Sequence, residues 1–110
     1  MHLYEAQKEV HNYISQFKVG YFPPLANLAR LMEEVGELSR EINHHHGPKT
    51  KKASEDCRPE KIAEELADIL FTVLTLANQL EVDMDAAFSQ SIQKYLNRDS
   101  TRWEKTEAPE

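Results

Sequence analysis

Apolar positions recur at spacings of three and four in four stretches of the chain, the period of an amphipathic helix. Leu3, Ala6, Val10, Ile14 and Phe17 predict a first helix over about 3–19. "GYFPP" (20–24) stops it, because glycine and paired prolines interrupt helices. Leu25, Leu28, Leu31, Met32, Val35, Leu38 and Ile42 share one face of a second helix over about 24–45. The stretch "HHGPKTKKASEDCRPE" (45–60) has almost no apolar residue and reads as a mobile loop, about 46–58. Pro59 suits the first turn of a third helix over about 59–80. Asp83 is the N-cap candidate of a fourth, about 84–97, which carries Met84, Ala87, Phe88, Ile92, Tyr95 and Leu96. Residues 101–110 are a polar tail in which Trp103 is the one candidate anchor. No strand pattern competes. The expected fold is an all-α four-helix bundle forming a single domain over about 1–100.

The third helix is apolar nearly all round from Leu66 to Leu80, with Phe71 on its far side. Such a helix needs cover on more than one face. One small bundle supplies little, so self-association is expected, as a homodimer or a dimer-of-dimers tetramer.

Against this apolar background one acidic pattern occurs twice. "RLMEEVGEL" (30–38) and "KIAEELADI" (61–69) match class for class at nine positions. At about 100° per residue, Glu34 and Glu37 lie to one side of the stripe centred on Val35. Glu65 and Asp68 lie on the same side of a stripe centred on Leu66. Residues three apart on a helix are neighbours, so each pair forms one patch. Antiparallel packing would bring the two patches together. Four carboxylates so placed repel and raise one another's pKa, which a divalent cation relieves. Oxygen-only ligands favour a hard ion, Mg2+ or Mn2+. A lone E-x-x-E is commonly just a solvated face; two in-phase copies are harder to read that way. Gly36 costs about 1 kcal/mol in a helix relative to alanine, and its bare backbone would let a facing helix or a ligand come close.

The net charge is −6, which argues against a nucleic-acid partner. The longest nearly apolar stretch, "LADILFTVLTLA" (66–77), is too short to span a bilayer. Cys57 is the single cysteine, so no intrachain disulfide forms. The start "MHLYEAQKEV" has no signal-peptide pattern, and a cytoplasmic location is expected.

At "EEVGE" (33–37) and "EELAD" (64–68) the sequence resembles the MazG-like, all-α nucleoside triphosphate pyrophosphohydrolases, whose signature is E-x-x-E followed by E-x-x-D. "LARLMEEVGELSREI" and "EELADILFTVLTLAN" are similar to the family as well, and the likeness runs over about 1–100, as in a short single-domain member of the YpjD type. The resemblance implies Mg2+-dependent cleavage of (d)NTP to (d)NMP and diphosphate. Carried over by position, Glu34, Glu37, Glu65 and Asp68 hold the metal, and Glu33 or Glu64 activates or orients the attacking water, with an extra ligand, a group supporting the ligands, or plain surface acids as the alternatives. Lys94 and Arg98, four apart in "QKYLNRD" (93–99), are candidate phosphate contacts, with ordinary surface charges as the alternative. Asn78 is a candidate contact for base or sugar, and Gln7 and Asn12 are candidate pocket residues. Dimers or tetramers are implied too.

Other readings stay open at this point. The same site would serve a phosphoribosyl-ATP pyrophosphohydrolase. A non-catalytic helical module could hold a cation for stability alone. Glu41 and His44 form the E-x-x-H unit of di-iron bundles, but the third helix lacks the matching His. "HHH" (44–46) could bind a transition metal, and "KTKK" (49–52) could touch phosphates or be a plain soluble loop.

Overall fold

Proline and aspartate set the helix starts. Pro24 opens α2 (Pro24–His46) at a position where no backbone donor is needed. Asp83 caps α4 (Met84–Asp99) by accepting from the backbone N–H groups of Asp85 and Ala86. Between them runs α3 (Glu60–Gln79), preceded by Pro59 at its N-cap. The computed structural model describes residues 2–47 and 58–106, and among these every regular element is a helix. The loop expected over about 46–58 therefore lies almost wholly outside the described residues, with "KTKK" and Cys57, as do residues 107–110. His46 belongs to α2, and Gly47 is its C-cap.

The first helix is shorter than its apolar period suggests. α1 runs Leu3–Ser15, and Phe17 falls in the turn that follows. Its apolar spacing continues because the turn still packs on the bundle, while Gly20, at φ +59°, takes the left-handed conformation that reverses the chain. At the other end, the Asp85 carboxylate of α4 accepts from the Leu3 and Tyr4 N–H groups, at 3.2 and 3.0 Å. Two of α1's free N-terminal donors are thus satisfied by another helix.

α2 and α3 form the largest helix pair. They are antiparallel, since early Asn27 bonds late Gln79 at 2.8 Å while late Glu37 meets early Glu65. α1 also lies antiparallel to α3. Gln7 Nε2 donates to Asn78 Oδ1, Asn78 Nδ2 returns a bond to the Gln7 carbonyl, and Tyr13 sets its ring edge to Phe71. α4 joins the rest chiefly through α1.

The faces are not disposed as amphipathicity alone assigns them. The apolar stripe of α2 (Leu25, Leu28, Met32, Val35, Ile42) is exposed, Leu25 by 79% and Met32 by 64%. The buried residues of α2 are Asn27 and Glu41. On α3, Leu66 and Leu70 are exposed, while Glu65, Thr72 and Thr75 are buried beside Leu74 and Ala77. The helical-wheel relation between stripe and carboxylates holds, but the carboxylate side is the one between α2 and α3. α4 likewise exposes Phe88, Ile92, Tyr95 and Leu96, and Trp103 is exposed under Arg102 rather than anchored in a core. The radius of gyration is 17.8 Å. A compact chain of this length would have about 13 Å. Gly36 admits no close approach within the chain, because a Cβ there would meet nothing within 4 Å. No helix among the described residues is long and apolar enough to cross a membrane.

Candidate metal centre

The doubled motif places Glu34, Glu37 and Glu65 on the facing sides of α2 and α3. One carboxylate oxygen each from Glu34, Glu37 and Glu65 lies within 4.8 Å of the others. Glu65 is 3% exposed, and its Oε2 has no hydrogen-bond donor; neither does Oε2 of Glu34. Buried carboxylate oxygens without donors are costly. A hard divalent cation is a partner that would satisfy several of them at once. The donor set therefore fits the ion that the sequence pattern calls for.

Electrostatics agree. Burial, first, and then the adjoining Glu65 carboxyl raise the pKa of Glu34 above its usual 4.5, with the Glu37, Asp68 and Glu65 charges adding to it. Contact with the Glu65 carboxyl is the main cause for Glu37, which also rises, while Lys61 pulls it the other way.

This has a signed consequence. A carboxyl whose pKa is raised by folding contributes stability below its unfolded value, here 4.5, and loses it as pH climbs through the raised value. In EDTA, wild type and Glu34→Gln should melt close together near about pH 4, and the variant should become the more stable one toward about pH 8. Thermal melts across that range check this, and a gap that does not change with pH would refute it.

The remaining site candidates are placed as follows. Asp68 lies near enough for its charge to act on Glu34, but it is exposed and outside the three-carboxylate group. Glu33 lines a groove with Phe22, Asn27, Arg30 and Glu34. Glu64 is held by Arg58 and Lys61, at 3.4 and 3.3 Å. Asn78 and Gln7 are bonded to each other, and Gln7 also reaches Val82 O and Met84 N, so both knit α1, α3 and α4 together. Asn12 is exposed on α1. Arg98 pairs with Asp99 at 2.9 Å, and both Arg98 and Lys94 lie over the Tyr95 ring. Their helix joins the rest of the bundle chiefly through α1. His45 Nε2 is 3.9 Å from Glu41 Oε2, and among the described residues no histidine joins a group able to hold a metal.

Two features lie outside the acidic pattern. An aromatic cavity of about 230 Å3 is lined by Tyr13, Phe17, Tyr21, Phe22, Asn27 and Phe71, among others. It shares Phe22, Asn27 and Arg30 with the groove that leads to Glu34. Beyond the carboxylates, a cleft is lined by Glu37, Arg40, Glu41, Lys61 and Glu65. Lys61 was legible, being four residues before Glu65 and hence on the same face. The cavity was not, because it joins α1, its following turn, α2 and α3.

Residues 22–103, which hold all of these carboxylates, match the MazG nucleotide pyrophosphohydrolase domain. The chain belongs to that family. It is 48% identical over 103 residues to YpjD of Bacillus subtilis (strain 168), covering 94% of this chain and 91% of YpjD. The crystal structure of Bacillus subtilis YpjD superposes with a TM-score of 0.77 at 46% identity, over 86% of this chain and 95% of that one. A Bacillus-conserved MazG protein, a nucleotide pyrophosphohydrolase, superposes with a TM-score of 0.74 at 43% identity, over 86% and 90%. The MazG family thus supplies the hydrolase class and a nucleotide as the kind of substrate.

Proposed function

We propose that this MazG-family chain is a Mg2+-dependent pyrophosphohydrolase that cleaves (d)NTP to (d)NMP and diphosphate in the cytoplasm, working as a homodimer or a dimer of dimers. The observation that carries the reading is the meeting of Glu34, Glu37 and Glu65, with Glu65 buried and half unpartnered. Mn2+ suits the same oxygens. These three, with Asp68 at the edge, would hold the ion. When bound, it supplies positive charge against the phosphate oxygens and the acidification of water that hydrolysis needs.

The chain's own residues give the substrate a direction along α2. The aromatic cavity offers faces on which a base can stack. Arg30, 3.8 Å from Glu34, stands where the groove passes from the cavity to the carboxylates. Arg40 and Lys61 line the cleft on the other side, where the diphosphate end would lie. Asn27 spans about 10 Å of helix from Glu34, a span that suits a nucleoside. Glu33 faces the groove and is the better placed candidate to orient water, since Glu64 is occupied by two cations. Lys94 and Arg98 reach phosphate in this scheme only from α4 of a second copy.

Anion-exchange analysis of products from a panel of NTPs and dNTPs, with Mg2+ and with EDTA, tests the reaction. Mg2+-dependent NMP and diphosphate is the expected result. NDP and phosphate would place the cut at the other linkage and overturn it. Phosphoribosyl-ATP belongs in the same panel, since the carboxylate site does not distinguish it.

A further inference from the structure

Lys61 stands against the carboxylates on one helical turn of α3. Its Nζ lies 3.5 Å from Glu65 Oε1 and 3.3 Å from Glu64 Oε2. Glu65 is therefore divided. Oε1 has a cation beside it and Oε2 has no donor, while the carboxylate as a whole groups with Glu34 and Glu37. Glu64 is also held by Arg58 at 3.4 Å, so it anchors the outer end of this small network. About a third of the Lys61 side chain is open to solvent, and it borders the cleft shared with Glu37 and Arg40.

A lysine in this position has two consequences of opposite sign. It offsets like-charge repulsion among the acids when no metal is present. It also repels a divalent cation that approaches the same carboxylates. Its four-carbon stem is flexible, and Glu64 gives its ammonium a second place to rest. We propose that Lys61 is a tethered counter-cation of the carboxylate cluster, which an entering divalent metal displaces from Glu65 and which returns to Glu65 when the metal leaves. The proposal rests on the reading of the cluster as a metal site. It makes Lys61 a positioning residue that keeps metal affinity low and the metal-free chain folded.

The test is calorimetric titration of the full chain with Mg2+ or Mn2+ alone, without nucleotide. Wild type, Lys61→Met and Lys61→Arg are compared, each first checked for helicity by circular dichroism. Lys61→Met should bind metal about tenfold more tightly, the scale of a screened repulsion between charges a few ångströms apart. Its metal-free thermal midpoint should fall, and Lys61→Arg should stay near wild type in both respects. Equal or weaker metal binding by Lys61→Met would overturn the proposal while leaving the metal site intact. No binding heat from wild type or variant would overturn the metal site and this proposal with it. Lys61→Gln, which keeps a polar tip at a partly exposed position, serves as a second charge-removing variant with the same expectation.

Discussion

Glu65→Gln should abolish metal-dependent turnover and at the same time make the metal-free protein more stable. The two effects come from one fact. Glu65 is the most enclosed acid of the cluster, with Glu34 and Glu37 beside it and one oxygen without a donor. The amide keeps the size but cannot offer a charged ligand. Loss of about a thousandfold in kcat is expected, the scale seen when one preorganised charge-stabilising group is removed. Without metal, the same change removes a buried charge from a repulsive group. A gain of about 1 kcal/mol would raise the melting midpoint by roughly 4 °C or more in a domain of this size. Turnover assays with Mg2+, together with melts in EDTA, measure both. Retained activity would remove Glu65 from the metal site. A lower metal-free midpoint would mean that its pairing with Lys61 outweighs the repulsion.

The second large effect concerns the exposed stripe of α2. Leu25, Leu28, Met32 and Val35 form a continuous apolar face, and α3 adds Leu66 and Leu70. Each side chain of this size contributes about 1.5–3 kcal/mol when fully buried. Contiguous apolar surface is where protein interfaces form, and the assembly proposed above would cover it with a second copy. Leu28→Glu combined with Met32→Glu should therefore convert an oligomer to a monomer. The thermal midpoint of wild type should rise with protein concentration, and that of the double variant should not. Light scattering coupled to size-exclusion chromatography reads the mass directly. A wild-type monomer, or an unchanged mass in the double variant, would refute the assembly. If α4 of a second copy carries Lys94 and Arg98 to the phosphates, the monomeric variant will also lose activity while its metal binding persists.

Much of the local architecture could be read from residue order. The four helices follow from apolar spacing and from Pro24, Pro59 and Asp83, whose effects act within a turn. The carboxylate pairs follow from helical geometry, because residues three apart must be neighbours. Lys61 obeys the same rule. The repeat gives Glu65 and Asp68 to α3 as it gives Glu34 and Glu37 to α2, yet burial separates the α3 pair: Glu65 is buried and Asp68 is exposed.

Residue order determined that this chain makes four helices and that two of them carry in-phase acids beside an apolar stripe. Only the tertiary structure decided which side of the stripe is inside. A helical wheel fixes angles between residues on one helix but not the direction that faces a neighbour. Here Asn27 bonds Gln79 and the glutamates converge between α2 and α3, which leaves Leu25, Leu28, Leu66 and Leu70 outward. Hydrophobic burial sets no preference between a second helix of the same chain and the surface of another molecule, since both remove the same area from water. The acids have the more exacting requirement. They must converge on one point from two helices, and the packing of α2 on α3 is what meets it.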